Sequence, residues 1–417
     1  MGKLEKYTSY KESGVEWLGE IPEHWEIKKL KFIANNKTIK SVESDFKIAL
    51  ENIESQTTKY IETQEIVFSE AGINFKKGDV LFGKLRPYLA KVYLAEKDGL
   101  CVNEFLVLES KKIKSIFLKY MLVSYFCIEH INSSTYGTKM PRASWNFIGN
   151  SLIPLPSQDE QTKIASFLDE KTTQIDKAIS QKEKLIELLK GRRQITINEA
   201  VTKGLAKDVE LKDSGVEWIG EIPKHWEVSK LGTCLKPISI KNRPDLPLLS
   251  VTREQGVILR DVDDKDSNHN FIPDDLSGYK MVEKGQFAMN KMKAWQGSYG
   301  ISDYTGIVSP AYYIFELNRI EPHFFHKAIR SSVYVPFFIK ASDGVRIGQW
   351  DLSKSRMKEI PFYIPSTKDE QMKIVEYIEI QTAKIDKAIE LQQNYIAKLK
   401  EYKASLIDSV VTGKVRV

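Results

Sequence analysis

One stretch of this chain occurs twice and limits what the chain can fold into. Residues 13–30 read SGVEWLGEIPEHWEIKKL and residues 214–231 read SGVEWIGEIPKHWEVSKL, an offset of 201 residues (214 − 13). Glu23 in the first copy stands opposite Lys224 in the second, which is the one reversal of charge between them. Self-similarity at a fixed period is typical of a duplicated structural unit, so we interpret the chain as two copies of a unit of roughly 200 residues. Each copy of the repeated stretch is called a frame below.

A second repeated block opens a helical pattern in each copy. It reads PSQDEQTKIASFLDEKTTQIDKAI from Pro156 and PSTKDEQMKIVEYIEIQTAKIDKAI from Pro365. Apolar residues then recur at the alternating spacing of four and three that is typical of a coiled-coil strand, and acidic residues occupy the first turn. The predicted seam consists of Ile164, Leu168, Ile175, Ile179, Ile186 and Leu189 in the first helix and of Ile374, Ile378, Ile385, Ile389, Ile396 and Leu399 in the second.

The order of these segments predicts the topology. The first helix carries the chain from one globular head to the next, and the second helix begins at the second head. The two helices must therefore run antiparallel if they pack on each other, whereas pairing with another subunit is the alternative. Short alternating apolar runs such as DVLFG, together with one helical pattern from Ser115 to Ile131, predict that the head is an α+β domain.

The predicted fold class is α+β, with two globular domains separated by a long two-helix antiparallel coiled coil and an internal two-fold repeat. The predicted boundaries are 1–156 for the first frame and head, 157–207 for the first long helix, 208–365 for the repeated frame and second head, and 366–417 for the second long helix and C-terminal tail.

The composition is that of a folded protein. Hydrophobic residues make up 42% and charged residues 28% of the 417 residues, and there is no low-complexity tract. The net charge of +6 is compatible with nucleic acid but does not demand it. The three cysteines form no C-x-x-C pair, and neither a signal peptide nor a run of about 18 apolar residues is found. We therefore expect a cytoplasmic protein that does not span a membrane.

The sequence offers little catalytic chemistry. We find no N-P-P-Y-type or glycine-rich methyl-donor motif, no H-E-x-x-H and no G-x-S-x-G. The stretch GDVLFGKL carries Leu85 where a phosphate-binding loop requires Ser or Thr. His24 and His225 recur beside a tryptophan, but no second metal ligand recurs near them, so we interpret them as packing residues. We expect a non-catalytic chain that binds neither a metal nor a cofactor.

Each head also interleaves basic, aromatic and amide side chains in two predicted loops. Arg, Lys and Gln are the side chains that reach base edges and phosphates. A solvated run of charge is the ordinary alternative for each residue alone, but both heads place such a cluster shortly before a long helix. The candidate DNA-binding residues are Lys84, Arg86, Tyr88, Lys91, Tyr136, Thr138, Lys139 and Arg142 in the first head and Lys291, Lys293, Trp295, Gln296, Arg346 and Gln349 in the second.

Together these features resemble the specificity subunit of type I restriction–modification systems. The resemblance rests on the two E-W-x-G-x-I-P-x-H-W frames, the two divergent heads and the E-Q-x-x-I openings of two long helices. GKLRPYL from Gly83 and GIVSPAYYIF from Gly306 also look like segments of that family's target-recognition domains. The resemblance covers essentially the whole chain, and the head interiors carry less of it because they vary with the DNA sequence that is bound.

The resemblance implies a double-stranded DNA-binding subunit without activity of its own. Each target-recognition domain would bind one half of a bipartite target, while the helices would set the gap between the halves and dock modification subunits. Those subunits would use S-adenosylmethionine to methylate adenine, and ATP- and magnesium-dependent restriction subunits would join them as translocase and nuclease. Two alternatives stay open, a protein-interaction scaffold and, less favoured, a self-contained DNA-modifying enzyme.

Overall fold

The computed structural model describes residues 5–63, 71–206, 208–261, 272–346 and 349–417, without the side chains of residues 345, 346 and 349. The chain forms two compact units, unit 1 from residues 1–183 and 393–417 and unit 2 from residues 184–392. Unit 1 therefore combines residues from both ends of the chain. The four predicted boundaries divide the chain by segment rather than by compact unit, and they stay a prediction.

Unit 1 contains two four-stranded sheets, whose strands follow the frame in the sequence. Its strands are β1 (Tyr10–Glu12), β2 (Glu20–Pro22), β3 (Glu26–Lys29), β4 (Ala34–Lys37), β5 (Lys40–Ser41), β6 (Lys47–Ile48), β7 (Gly72–Phe75), β8 (Val80–Gly83), β9 (Val92–Leu94), β10 (Gly99–Cys101), β11 (Phe105–Ser110) and β12 (Leu152–Leu155). The sheets have the strand orders β5-β7-β10-β6 and β4-β11-β8-β9. Strand β1, just before the frame, pairs with β2 in the frame, and β3 pairs antiparallel with β12 near the end of the head.

The helical pattern at residues 115–131 forms two helices instead of the one predicted. The helices that begin in unit 1 are α1 (Ser115–Val123), α2 (Tyr125–Asn132), α3 (Trp145–Asn150) and the long α4 (Gln158–Lys203), and short 3-10 turns lie at Leu30–Phe32, Leu50–Asn52 and Pro87–Leu89. The break lies at the buried Ser124, whose backbone is extended and whose hydroxyl donates to the Met121 carbonyl at 2.7 Å. Asp408 then accepts from the Tyr125 N–H at 2.7 Å and caps α2.

Unit 2 repeats this plan. Its strands are β13 (Leu211–Asp213), β14 (Glu221–Pro223), β15 (Glu227–Lys230), β16 (Leu235–Ile238), β17 (Leu249–Thr252), β18 (Gly256–Leu259), β19 (Lys280–Val282), β20 (Phe287–Asn290), β21 (Tyr299–Ile301), β22 (Gly306–Val308), β23 (Tyr312–Leu317), β24 (Ser342–Arg346), β25 (Gln349–Leu352) and β26 (Pro361–Ile364). The sheet β16-β23-β20-β21 corresponds to β4-β11-β8-β9 of unit 1, and β15 pairs with β26 as β3 pairs with β12. The helices are α5 (Leu231–Cys234), α6 (Pro322–Ile329), α7 (Val335–Lys340), α8 (Lys354–Lys358) and α9 (Lys368–Val411), with a 3-10 turn at Ala294–Gln296.

The two heads correspond element by element at a shifted offset. Strands β8 and β20 begin 207 residues apart (287 − 80), and β11 and β23 are separated by the same number (312 − 105). The frames are 201 residues apart, so the interior of unit 2 has gained six residues before this point (207 − 201). The internal repeat therefore continues through interiors whose sequences have diverged.

The predicted long helices α4 and α9 are confirmed, and they pair in antiparallel fashion. In unit 1, Lys403 on α9 donates to Asp176 on α4 at 2.7 Å, and the ammonium of Lys182 lies 4.5 Å from the ring centroid of Tyr395. In unit 2, Arg193 on α4 donates to Asp386 on α9 at 3.1 Å. As the residue number rises along α4, that of its α9 partner falls, which is the antiparallel register.

Most of the predicted seam is buried in these pairs. Its buried members are Ile164, Leu168, Ile175, Ile179, Ile186, Ile374, Ile378 and Ile385, and its half-buried members are Leu189, Ile389, Ile396 and Leu399. The buried residues nearest the heads belong to the head cores, and the half-buried Ile396 and Leu399 pack against the core of unit 1. The main core of unit 1 joins the frame, the sheet β4-β11-β8-β9, the start of α4 and the end of α9.

Candidate nucleic-acid interface

A carboxylate in the first turn of each long helix holds the frame of its unit. In unit 1, Glu160 lies 2.8 Å from Nε2 of His24 and accepts from the indole N–H of the fully buried Trp25 at 3.3 Å. Its second oxygen accepts from the backbone and hydroxyl of Ser157, while the Glu160 N–H donates to the Ser157 hydroxyl, so the two residues form a capping box. Although partial burial opposes ionisation, the hydrogen bonds from His24, Trp25 and Ser157 outweigh it and lower the pKa of Glu160.

Unit 2 contains the same contact. Glu370 accepts from the indole N–H of Trp226 at 2.9 Å and lies 3.2 Å from Nε2 of His225. Thr367 accepts from the Glu370 N–H at 3.2 Å and caps the helix. The two repeated histidines thus bind a repeated glutamate, and together with the tryptophans they fasten frame to helix.

The next residue of each long helix, Gln161 or Gln371, forms hydrogen bonds with the head of its unit. Gln161 is fully buried; it accepts from the Lys114 N–H at the start of α1 at 2.7 Å and donates to the Pro156 carbonyl at 2.8 Å. Gln371 makes the equivalent contacts in unit 2, accepting from the Glu321 N–H before α6 at 2.8 Å. The repeated Glu-Gln pair therefore orients the head relative to the helix that follows it, because each side chain bonds a different part of the unit.

The first candidate loop of unit 1 lies between β8 and β9 and spans residues 84–91. Arg86 is exposed, has a left-handed backbone (φ 51°) and donates its N–H to the Pro141 carbonyl at 2.7 Å. Tyr88 is 44% exposed on the 3-10 turn that follows, and Lys84 at the end of β8 is half-buried. The loop thus presents a guanidinium and a phenol from a tightly held backbone.

The second candidate loop of unit 1, residues 136–142, lies against the first. The Ala143 N–H donates to the Lys84 carbonyl at 2.9 Å, which joins the two loops. Tyr136, Thr138 and Lys139 are all exposed on it. Two clusters that lie about fifty residues apart in the sequence, by the spacing of 84 and 136, therefore form one continuous surface.

Two candidate residues of unit 1 donate hydrogen bonds to other groups of the same unit. The ammonium of Lys91 donates to the Leu50 carbonyl at 2.7 Å, and burial lowers its pKa. Arg142 donates to both carboxylate oxygens of Glu104 at 3.1–3.3 Å. These two side chains hold the loops in place, so a direct contact of either with DNA stays a prediction and requires an exchange of partners.

The first loop of unit 2 spans residues 291–298 between β20 and β21. Lys293 is exposed, and Lys291 lies 3.2 Å from a carboxylate oxygen of Asp351. Trp295 and Gln296, both half-buried, form the 3-10 turn of this loop. The order of a lysine, a second basic residue and an aromatic residue is the one seen in unit 1.

The second loop of unit 2 is the hairpin of β24 and β25. Trp350 stacks on Trp295 with ring centroids 5.2 Å apart, and the Leu352 N–H donates to the Lys291 carbonyl at 3.2 Å. The backbones of Arg346 and Gln349 pair across this hairpin, but their side chains lie outside the described residues. The structure thus brings the second loop onto the first in both units.

The loops of the two units correspond residue by residue. The backbone bond from Ala143 to Lys84 is repeated by the bond from Leu352 to Lys291. At the offset of 207 residues set by β8 and β20, the equivalent first-loop pairs are Lys84 with Lys291, Arg86 with Lys293 and Tyr88 with Trp295. The lysine is unchanged in the first pair, while the other two pairs keep positive charge or aromatic character and change in size and shape, which is the pattern expected of one scaffold with two specificities.

A group of lysines surrounds the loops of unit 2. Burial, and after it the nearby charges of Lys241, Lys354 and Lys291, lower the pKa of Lys280. Its ammonium donates to the Tyr312 carbonyl at 2.7 Å. Four segments of sequence contribute these lysines, so the group is a local concentration of positive charge that the linear sequence does not show.

Within the part of the chain that the structure describes, no cluster of three or more His, Cys, Asp or Glu side chains is placed to hold a metal ion. Cys101 and Cys127 are buried thiols, and burial raises the pKa of each to about 12. Across the same residues, no helix is both long and apolar enough to cross a membrane.

Two units that share one fold and carry equivalent pairs of loops define a protein with an internal structural repeat. Residues 22–188 match the family described as "Type I restriction modification DNA specificity domain". This match confirms, for these residues, the expected resemblance to the specificity subunits of type I restriction–modification systems.

Curated relatives cover part of the chain. It is 27% identical over 229 residues to the type I restriction enzyme MjaVIII specificity subunit of Methanocaldococcus jannaschii, which is 51% of this chain and 49% of that protein. It is 28% identical over 120 residues to the type I restriction enzyme EcoDI specificity subunit of Escherichia coli, covering 28% of this chain and 27% of that protein. The chain thus spans about half the length of the first of these relatives, 49%, and less of the second.

Solved structures extend the fold over almost the whole chain. A chain described under "Structural basis underlying complex assembly and conformational transition of the type I R-M system" superposes with a TM-score of 0.68 at 17% identity, covering 94% of this chain and 98% of its own. The HsdS subunit from Thermoanaerobacter tengcongensis superposes with a TM-score of 0.54 at 18% identity, covering 95% and 98%. At these identities the comparison concerns the fold, and it agrees with the predicted fold class.

Proposed function

We propose that this chain is the DNA-binding subunit of a type I restriction–modification complex and that each unit binds one half of a bipartite target. The observation that carries this proposal is the repetition of two contacting loops at equivalent positions of both units, with different side chains. A protein that recognised one symmetrical site would keep the side chains equal. Different side chains on one scaffold fit two different half-sites.

The exposed basic residues supply the two kinds of contact that DNA recognition needs. Lysines such as Lys293 and those around Lys280 suit phosphates, which fix the protein on the duplex. Arg86 suits a base edge, because a guanidinium binds the O6 and N7 atoms of guanine with two hydrogen bonds. Tyr88 and Trp295 offer flat apolar surface beside these charges.

The long helices α4 and α9 then set the distance between half-sites and dock modification subunits. A helix pair is stiff along its axis and has outer faces rich in Lys and Glu, which suits both tasks. In this proposal the modification subunits bind S-adenosylmethionine and methylate adenine. The restriction subunits use ATP and magnesium, and this chain binds no cofactor of its own.

Co-expression with a modification subunit tests the proposal directly. Methylated adenines are mapped across the host genome, and the expected result is a gapped motif of two parts. A chimera that exchanges residues 31–155 for the same head of another specificity subunit should change one part only. A single ungapped motif, or methylation by this chain alone, would contradict the proposal.

Substitution at Arg86 tests the assignment of half-sites. Arg86→Gly suits the left-handed backbone at φ 51°, so it removes the guanidinium without new strain, and Arg86→Ala provides a second truncation. We expect discrimination at one base pair of one half-site to fall about tenfold to hundredfold, with assembly unchanged. The matched control is Arg319→Gly, an exposed arginine of unit 2 with φ 64° outside both loops.

Salt dependence separates DNA binding from the scaffold alternative. Contacts to several phosphates make DNA affinity fall steeply as salt rises, because bound counterions are released. A flat dependence between about 50 and 200 mM salt would favour a scaffold whose heads bind protein.

A further inference from the structure

Left-handed backbone at residues other than glycine is concentrated in one region of unit 1. Across the described residues, six non-glycine residues have a positive φ, and four of them lie in two neighbouring segments: Gln56 at 65°, Thr58 at 62°, Arg86 at 51° and Ala90 at 46°. Such conformations cost free energy and persist where the surrounding structure enforces them, which is commonly at functional sites. One segment is the first loop, and the other is a turn at residues 54–59 that lies in neither predicted loop.

The turn at residues 54–59 is attached to the first loop. The Gln56 N–H donates to the Leu89 carbonyl at 3.2 Å, and the Glu54 N–H closes the turn on the Lys59 carbonyl at 2.9 Å. Lys59 also lies 3.1 Å from Asp176 on α4, which fixes the far side of the turn. The Gln56 side chain is exposed, and Gln56 and Tyr88 both line one cavity of about 610 Å³.

Unit 2 attaches a turn to its first loop by a different residue. Arg330 donates to the carbonyls of Gly297 and Tyr299 in and beside the first loop, at 3.4 and 2.5 Å. It also donates to the carbonyls of Arg253 and Glu254, at 2.7 and 2.9 Å, in the turn between β17 and β18. Each unit thus fixes a turn from the first half of its head onto the first loop, although the sequences of the two turns differ.

We propose that the turn at residues 54–59 is a third DNA-contacting segment of unit 1 and that Gln56 recognises an adenine base in its half-site. The inference rests on the function proposed above. A glutamine amide offers one donor and one acceptor, which match the N7 acceptor and N6 donor of adenine in the major groove. The bond to Leu89 couples the position of Gln56 to that of Arg86, so the two side chains approach neighbouring base pairs together.

Gln56→Gly separates recognition from folding. Glycine adopts φ 65° more readily than glutamine, so the turn keeps its shape and the thermal stability of the chain should not fall. Asn242→Gly is the matched control, since Asn242 is an exposed amide residue of unit 2 at φ 63° outside the loops and turns described above. The complex with modification subunits is given a DNA library randomised at the half-sites, and methylated products are sequenced.

The wild-type complex should show a gapped motif with an A·T pair in the half-site of unit 1 at which Gln56→Gly loses roughly tenfold to hundredfold in discrimination. The other half-site and the Asn242→Gly variant should keep the wild-type motif. A gapped motif that Gln56→Gly leaves unchanged overturns this inference and leaves the proposed function standing. The absence of any gapped motif in the wild-type complex overturns both.

Discussion

The hydrogen bonds of Glu160 predict how much this residue stabilises the attachment of the frame to helix α4. Glu160→Ala removes the acceptor of the Trp25 indole N–H, the partner of His24 and half of the capping box with Ser157. Loss of a helix-capping contact costs about 1 kcal/mol. The Trp25 side chain is fully buried, so its N–H loses its acceptor at a cost of about 1–3 kcal/mol.

The exposed contact with His24 adds little, because a surface ion pair is screened by solvent. We therefore expect Glu160→Ala to destabilise the attachment of the frame by about 2–4 kcal/mol. Glu160→Gln keeps one carbonyl acceptor within reach of Trp25 and should cost about 1 kcal/mol. The order of the two variants follows from the number of acceptors that remain.

Hydrogen exchange measured by mass spectrometry reports this attachment locally. Backbone amides in peptides covering residues 20–30 and 158–165 should exchange roughly 30- to 1000-fold faster in Glu160→Ala if they exchange through opening of the frame. Peptides covering the frame of unit 2 should not change, and they are the internal control. Glu370→Ala reverses the design, because it should affect unit 2 and spare unit 1.

Equal exchange in wild type and Glu160→Ala would refute the reasoning. It would mean that apolar packing of Trp25 alone holds the frame and that water replaces the lost acceptor. Faster exchange in both units would also refute it, since the contact would then govern global rather than local stability. Only a change confined to unit 1 supports a local contact.

Two further predictions concern buried groups. Burial raises the pKa of Asp408 to about 6, so the folded state binds the proton more tightly than the unfolded state does, and stability is lost as pH rises from about 4 to 6. Asp408→Asn keeps an acceptor for the Tyr125 N–H and should raise the free energy of unfolding above pH 6 by up to about 3 kcal/mol. Equal melting temperatures of variant and wild type at pH 8 would contradict this prediction. Ile385→Asp places a charge in the buried seam of unit 2 at a cost of about 3 kcal/mol or more. Circular dichroism should show lower helix stability, and a pull-down should show loss of modification subunits. Normal assembly of this variant would argue against the seam as a docking scaffold.

The frames and long helices could be predicted because their signals are local. The helix pattern repeats every three or four residues, and its observed bounds, Gln158–Lys203 and Lys368–Val411, agree with the predicted patterns within a few residues. The break at Ser124 could not be predicted, because the residue that caps the second helix is Asp408, 283 residues further along the chain. Tertiary contacts, not propensity, decide where that helix begins.

The correspondence between the two heads was hidden by a change of offset. Comparison at the frame offset of 201 residues sets Lys84 opposite Gly285, whereas the structure sets it opposite Lys291. The shared order of lysine, basic residue and aromatic residue appears only at an offset of 207. The hydrogen-bond partner of the repeated histidines could have been found from the sequence, because Glu160 and Glu370 are themselves repeated and acidic.

The sequence could not show which basic side chains of the loops face solvent and which bind other groups of the protein. Lys91 and Arg142 belong to the same basic clusters as Arg86, yet their charges bind the Leu50 carbonyl and Glu104. A pattern of charge indicates where a binding surface lies, but burial and partners decide which of its residues face a ligand. The turn at residues 54–59 has no basic cluster, and its left-handed backbone is visible only in three dimensions.

The division between repeated and divergent parts explains how one fold can present two different loop surfaces. The repeated parts, Glu160 and Gln161 with their counterparts in unit 2, bind the frame and the start of a head helix. Inside the heads, the bond that joins the two loops is made by backbone atoms, and it is kept although the residues around it differ. Because backbone atoms do not depend on residue type, the side chains of the loops are free to vary while the loops stay in place. In the proposed function, the binding specificity of one unit can therefore change without a change in the fold of that unit.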